Sequence, residues 1–184
     1  MSSVHRQLSR PFARLPGACL ALGLAALFFA MPALAAPADR PPVAVRSADL
    51  AYAFELPAGT SVDLQRYPHA APGQTREIAM ILAGGAEIAR LDVFLDPPGK
   101  DLAQWANREF AFQIKHGKLR SARAGVAQVA ALELALPGGQ VEPQTVLFWR
   151  QGRLGLRLTL VASAQALARK AFSQAAASFT AGTP

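Results

Sequence analysis

Apolar and polar residues alternate along several short stretches of this chain, and this period predicts half-buried β-strands. The alternation is clearest at residues 153–161, where four leucines occupy every second position. The other stretches predicted as strands are residues 50–56, 62–65, 77–82, 87–95, 118–123, 126–136 and 145–150. Glycine-containing turns at residues 83–85 and 151–152 join neighbouring strands, which predicts antiparallel hairpins.

Two segments repeat their apolar residues at helical spacing instead. The first begins at Asp101, whose spacing from Gln104 is that of a capping box, and it ends at Gly117. The second begins after Ser163, which we expect to cap its first turn. The order of strands, helix, strands and helix predicts an α+β fold: a curved antiparallel β-sheet with two amphipathic helices packed on it.

The first 35 residues have the three regions of a secretory signal peptide. Three arginines precede an apolar stretch at residues 18–31, and the small-residue triplet Ala-Leu-Ala follows at residues 33–35. We therefore expect export, with cleavage near Ala35 and a periplasmic or secreted product. The alternative is that the leader is retained as an N-terminal anchor.

The rest of the chain divides into an arm and one domain. Residues 36–48 are rich in Pro and Ala and have little pattern, so we expect a flexible arm. Residues 49–181 carry all the predicted strands and helices, and this length is ordinary for a single α+β domain.

The composition argues against several classes of function. Cys19 is the one cysteine and lies in the leader, so the remainder has neither a disulfide nor a thiolate nucleophile. The leader holds three of the nineteen basic residues, and its removal lowers the net charge from +7 to +4. The remaining basic residues are scattered among acidic ones, so we expect no nucleic-acid binding and at most weak attraction to a membrane surface.

The candidate chemistries are weak. His69 and His116 lack metal-ligand spacing, and the sequence contains no G-x-S-x-G motif. Asp92 and Asp96 would share one strand face, but an exposed strand explains them as well as a carboxylate pair does. We read the paired glycines at 84–85 and 138–139 as hairpin turns rather than phosphate loops. We therefore expect no catalytic residue, no metal and no cofactor.

The most interesting side chains surround the last predicted hairpin. Residues 145–150 are apolar on both faces, and Trp149 lies near Arg150, Arg153 and Arg157. An aromatic residue with neighbouring arginines is typical of a protein interface, so these four residues form a candidate interface. The alternative is that Trp149 packs under the last helix. If the four residues form an interface, changing both Trp149 and Arg153 to Ala should abolish partner capture and leave the fold intact.

Several stretches carry a family resemblance. They are Phe-Glu-Leu-Pro-Ala-Gly at residues 54–59, the segment 102–105 in the middle helix, Phe-Trp-Arg-Gln-Gly at 148–152, and the end of the final helix at 178–179. With this layout the chain resembles the PsbP/Mog1/DcrB-like group over residues 50–179. The resemblance implies a curved antiparallel sheet with packed helices. It also implies an accessory role, since members of that group are mostly non-enzymatic, and it transfers no site residue.

The sequence thus predicts an exported, non-catalytic accessory or binding module of the cell envelope. Its expected partner is an envelope protein or another envelope component. The alternative is a carrier of a small apolar ligand, with a pocket between the sheet and the middle helix. A hydrolase is the least favoured function, because no group of titratable residues supports one.

Overall fold

The computed structural model describes residues 41–136 and 144–182. The predicted signal peptide, the first five residues of the predicted arm and the turn at residues 138–139 lie outside the described residues. At Phe112 and Gln113 only the backbone is described.

The described residues form ten strands and two helices. The strands are β1 (Val43–Ser47), β2 (Tyr52–Leu56), β3 (Ser61–Arg66), β4 (Thr75–Ala83), β5 (Ala86–Leu95), β6 (Lys118–Ala124), β7 (Val129–Ala135), β8 (Thr145–Gln151), β9 (Leu154–Leu160) and β10 (Thr180–Ala181). The helices are α1 (Leu102–Ile114) and α2 (Ala166–Ser178).

The strands form two sheets in which every pairing is antiparallel. The larger sheet has seven strands in the order β3-β4-β5-β9-β8-β7-β6, and the smaller one has the order β1-β2-β10. The predicted α+β class, with an antiparallel sheet and two packed helices, is confirmed. The separate three-stranded sheet was not predicted, since its strands are short and one contains only two residues.

One face of the large sheet is covered by α2 and the small sheet. The leucines of β9 that alternate in the sequence all point to this face and join the main core. Phe179, directly after α2, stacks with Tyr52 and Phe54 of β2 at ring distances of 5.5 and 6.4 Å. The main core therefore joins α2 to both sheets.

The other face carries a smaller core beneath α1. Trp105 is fully buried and meets Phe94 and Phe148 edge to face, at 5.3 and 6.0 Å. Phe110 departs from helical geometry (φ −132°, ψ 27°), and its ring lies 4.9 Å from that of Phe148. The two helices therefore pack on opposite faces of the seven-stranded sheet.

The prediction of a flexible arm at residues 36–48 is wrong for residues 43–47. These residues form β1, which pairs along its whole length with β2. Val45 is buried in the main core, and Ser47 is buried among the polar contacts beside it. Five residues after two prolines give too short a pattern to predict a strand, and the strand is stabilised by contacts with residues distant in sequence, mainly those of β2.

The two predicted helix caps have different outcomes. The backbone N–H of Gln104 donates to the Asp101 carboxylate at 2.7 Å, so Asp101 caps α1 as expected. Ser163 does not cap α2, because a turn from Ala162 to Gln165 intervenes and α2 begins at Ala166. Gln165 holds the capping position without a side-chain hydrogen bond, while the carbonyl of Ser163 accepts from Arg169 at 2.6 Å.

Candidate binding cleft beside helix α1

Trp149 is buried, which corrects its assignment to an exposed interface. None of its surface is accessible, and its ring meets that of Phe179 edge to face at 5.4 Å. It lies on the face covered by α2, because in β8 Leu147 and Trp149 point one way while Val146 and Phe148 point the other. Packing under the last helix, the alternative left open by the sequence, is what the structure shows.

Arg150 follows Trp149 and points to the opposite face of the sheet. Its Nη2 donates to the carbonyl oxygens of Pro97, Pro98 and Gly99 at 3.0 to 3.1 Å. Its guanidinium also lies 5.8 Å from the centre of the Trp105 ring. Arg150 therefore secures the loop between β5 and α1.

Arg153 lies in the exposed turn between β8 and β9. Its Nε donates to Oδ1 of Asp96 at 2.9 Å, and 63% of its side-chain surface is exposed. The hydrogen bond from Arg153 lowers the pKa of the Asp96 carboxyl below its usual range. Asp96 is thus engaged at this turn, while Asp92 is buried beneath Arg157, so the two carboxylates serve separate ion pairs.

Arg157 lies on the same face as Arg150, in the middle of β9. Its Nε donates to Oδ2 of Asp92 on the neighbouring strand β5 at 2.8 Å. Its guanidinium also lies over the rings of Phe94 and Phe110, at 5.5 and 5.1 Å from their centres. The four predicted interface residues are therefore divided between two faces and a turn, and they form no single surface.

Arg157 and Phe110 line an open cleft of about 420 Å³, which we call the α1 cleft. It exists because α1 packs on β7 and β8 and leaves the adjoining part of β5 and β9 uncovered. Its charged lining residues are Glu87, Arg90, Asp92 and Arg157. Its apolar lining residues are Phe110, Leu136, Val146 and Val161.

The charged residues of the α1 cleft form two ion pairs. Arg90 holds Glu87 through two hydrogen bonds, Nε to Oε1 at 2.7 Å and Nη2 to Oε2 at 2.9 Å. The hydrogen bond to Glu87 raises the pKa of Arg90, so the guanidinium of Arg90 stays charged. In the second pair the side chain of Asp92 is 2% exposed and that of Arg157 is 24% exposed. Within the second pair the accessible charge is therefore that of Arg157, whereas in the first pair both Arg90 and Glu87 are partly exposed.

The apolar pocket expected between the sheet and the Trp105 helix corresponds in place to the α1 cleft but differs in character. At Trp105 the helix and sheet are closely packed, since Trp105 and Ala106 have no exposed surface. The α1 cleft lies beside the same helix, near Phe110, and four of its ten lining residues are charged. The sequence analysis did not identify Arg90 and Phe110 as site residues. Alternation puts Arg90 and Asp92 on one face of β5, but only the register with β9 and the packing of α1 bring Arg157 and Phe110 to them.

Neither a metal-binding cluster nor a membrane-spanning helix is found in the described parts of the chain. Residues 41–136 and 144–182 contain no group of three or more His, Cys, Asp or Glu side chains that could hold a metal ion. Within the same ranges, no helix is long and apolar enough to cross a membrane. His69 is exposed in the loop between β3 and β4, and His116 is exposed just after α1.

Comparison with known proteins gives similarities in structure only. No protein-family model and no curated protein matches this sequence. The structure is similar to the solution structure of cyanobacterial PsbP (CyanoP) from Synechocystis sp. PCC 6803, with a TM-score of 0.49 and 15% sequence identity. The match covers 90% of this chain and 98% of that chain. The similarity concerns the fold alone.

Proposed function

We propose that this protein is an exported, non-catalytic binding module of the cell envelope and that the α1 cleft is its binding site. The observation that carries the proposal is the arrangement of Arg157. This residue is held by Asp92 and by two aromatic rings, yet a quarter of its side chain remains exposed in a cleft with apolar walls. A concave site with a few fixed polar groups among apolar ones is typical of ligand binding.

The ion pairs of the cleft favour binding over acid-base catalysis. A general acid or base must be free to exchange a proton with a substrate. Glu87 is held by two hydrogen bonds from Arg90, and Asp92 is buried against Arg157. Both carboxylates are therefore already engaged by an arginine.

The expected envelope partner would present its group to the α1 cleft rather than to Trp149. Trp149 is fully buried, so a partner could reach it only after displacement of α2 or of the small sheet. Of the four residues predicted as an interface, Arg157 is the one that lines the cleft.

Site-specific photo-crosslinking in cells tests the proposed site. A photoreactive phenylalanine analogue replaces Gln144 at the edge of the cleft, and the same analogue at exposed Ser173 on α2 is the control. We expect an adduct from position 144 that position 173 does not give, detected by mass spectrometry. Thr159→Trp, which fills the cleft, should abolish this adduct. Identical adducts at both positions, or an adduct that persists with Thr159→Trp, would contradict the proposal.

Export is tested separately. N-terminal sequencing of the protein from fractionated cells should find residue 36 at the start of the envelope or secreted form. A cytosolic protein that retains Met1 would contradict export and leave the binding site open to test.

A further inference from the structure

Resting on the proposed function, we propose that the α1 cleft recognises a carboxylate group and that Arg157 is the residue that binds it. The chemistry follows from the unused hydrogen-bond donors of Arg157, from the way its side chain is held, and from the apolar wall beside it.

Arg157 has N–H donors beyond the one that binds Asp92. A guanidinium carries five N–H groups, and here the Nε–H is used by Asp92. Among the described residues, the side-chain hydrogen bond of Arg157 is made by Nε, and its Nη1 and Nη2 groups donate none. A planar carboxylate matches such a pair of amino groups with two parallel hydrogen bonds.

The side chain of Arg157 is already held in place. Asp92 fixes its Nε from a buried position on the adjacent strand, and the rings of Phe94 and Phe110 lie at 5.5 and 5.1 Å from the guanidinium. An arginine held in this way loses little conformational freedom when it binds a ligand. The geometry therefore favours Arg157 as a preformed binding group.

The neighbouring charges suit a single negative charge better than other ions. Glu87 is neutralised by Arg90, so it repels an approaching carboxylate only weakly. A phosphate dianion would place twice the charge beside the two acidic residues of the cleft. A cation would need Asp92, whose side chain is 2% exposed and lies against Arg157.

The apolar residues define the rest of the ligand. Phe110, Leu136, Val146 and Val161 line the cleft together with Arg157. A short hydrocarbon segment attached to the carboxylate would pack against them, and the volume of about 420 Å³ is in the range of small-molecule sites. A small amphipathic acid and the C-terminus of a protein chain share this chemistry, so the test includes both sources.

The probes are hexanoate and its uncharged analogue hexanamide, titrated into the purified protein and followed by NMR at the Nε–H of Arg157. We expect hexanoate to shift this resonance and to bind at least about tenfold more tightly than hexanamide, which cannot accept a charge-assisted pair of hydrogen bonds. Equal binding of the two probes, or no binding by either a free or a peptide carboxylate, would overturn the proposal.

The variant is Arg157→Gln combined with Asp92→Asn, since removal of Arg157 alone would leave Asp92 buried and unpaired. The matched control is Arg120→Gln with Glu133→Gln. This is another cross-strand ion pair, with an N–O distance of 2.6 Å, on the opposite face of the sheet. Circular dichroism establishes that both proteins are folded. We expect about tenfold weaker hexanoate binding in the first protein and unchanged binding in the control. Unchanged binding in both would overturn the proposal.

A second titration distinguishes the two carboxylate sources. A short peptide of apolar residues with a free C-terminus is compared with the same peptide as a C-terminal amide. Binding of the free acid peptide alone supports a protein C-terminus as the ligand, whereas binding of hexanoate alone supports a small acid. If neither carboxylate binds but the photo-crosslink at Gln144 is specific, the cleft is a binding site of different chemistry. The proposed function then survives and the carboxylate inference fails.

Discussion

The hydroxyl of Tyr52 donates a hydrogen bond to the carboxylate of Glu77, and this contact joins the three-stranded sheet to the seven-stranded sheet. Ser47 donates to the same carboxylate at 3.1 Å, and Nε of Arg66 donates at 3.0 Å. The side chain of Glu77 is 1% exposed, so these three donors replace the hydrogen bonds to water that its carboxylate loses on burial. The polar contact therefore holds β1 and β2 against β3 and β4.

We predict that Tyr52→Phe destabilises the protein by about 1.5–3 kcal/mol, because a buried carboxylate loses one of its donors. Urea unfolding followed by circular dichroism measures this loss. The matched control is Tyr67→Phe, since the hydroxyl of Tyr67 donates to Gln65 on the exposed surface. The control should change the free energy of unfolding by less than about 0.5 kcal/mol. Equal effects of the two substitutions would show that the Tyr52–Glu77 hydrogen bond stabilises the protein no more than the exposed one of Tyr67 does.

Stability should fall at alkaline pH for a reason specific to Tyr52. Burial raises the pKa of the Tyr52 hydroxyl, and the hydrogen bond and charge of Glu77 raise it further. Above about pH 10, tyrosine ionises in the unfolded chain, whereas Tyr52 stays protonated in the folded protein. The unfolded state then binds fewer protons, so the free energy of unfolding decreases by about 1.4 kcal/mol per pH unit.

Chemical unfolding at several pH values between about 8 and 11 measures this slope. In Tyr52→Phe the contribution of this group is missing, so its stability should decrease less steeply than that of the wild type over the same range. Parallel profiles of stability against pH for the two proteins would argue against a raised pKa of the Tyr52 hydroxyl.

Trp149→Ala should act on folding rather than on a surface contact. It removes a fully buried indole from the core beneath α2, and such truncations cost about 3–5 kcal/mol. Val126→Ala is the control, since Val126 is 60% exposed. Thermal unfolding should show a large decrease in the midpoint for the first and little change for the second. The same result would explain any loss of partner binding by a Trp149/Arg153 double variant as a loss of stability.

The two residues predicted from the sequence as helix caps, Asp101 and Ser163, should contribute differently to the free energy of unfolding. Asp101→Ala removes the acceptor for the N–H of Gln104 at the start of α1 and should cost about 1 kcal/mol. Ser163→Ala should be nearly neutral, because the contact of Ser163 is made by its backbone carbonyl. Urea unfolding of both variants provides the comparison, and a larger cost at Ser163 would contradict the observed start of α2.

Gly155 is required for close packing and not for an unusual backbone angle. A Cβ at this position would lie 2.6 Å from Cγ of Pro97 and 3.1 Å from Cη2 of Trp105. Gly155→Ala should therefore destabilise the protein by about 1–3 kcal/mol. Combining it with Pro97→Ala should recover part of the loss, because the clash is mainly with the proline ring. A double-mutant cycle measures this coupling, and additive effects would contradict it.

The local elements of this fold were largely predictable, and their exceptions have physical reasons. The strands β4 to β9 follow from alternation and glycine turns, both of which depend on residues close in sequence. β1 and β10 escaped prediction because their few residues are stabilised mainly by pairing with β2. The start of α2 was misplaced because Ser163 is a good cap by residue type, yet the turn at residues 162–165 comes first.

The candidate site was much less predictable. Arg157 was singled out from the sequence, but for its closeness to Trp149, from which the sheet separates it. Its real neighbours are Asp92, 65 residues away in sequence, and Phe110, which reaches it from α1. No local pattern specifies such contacts, because they depend on which strands are adjacent and in what register.

The sequence by itself determined where the chain alternates, where it turns and which segments form helices, since these properties arise from neighbouring side chains. Tertiary structure alone decided that β9 lies beside β5, that α1 and α2 cover opposite faces, and that α1 leaves part of its face open. The physical reason is that side chains of a strand alternate between two faces, so one sheet buries Trp149 on one side and exposes Arg157 on the other.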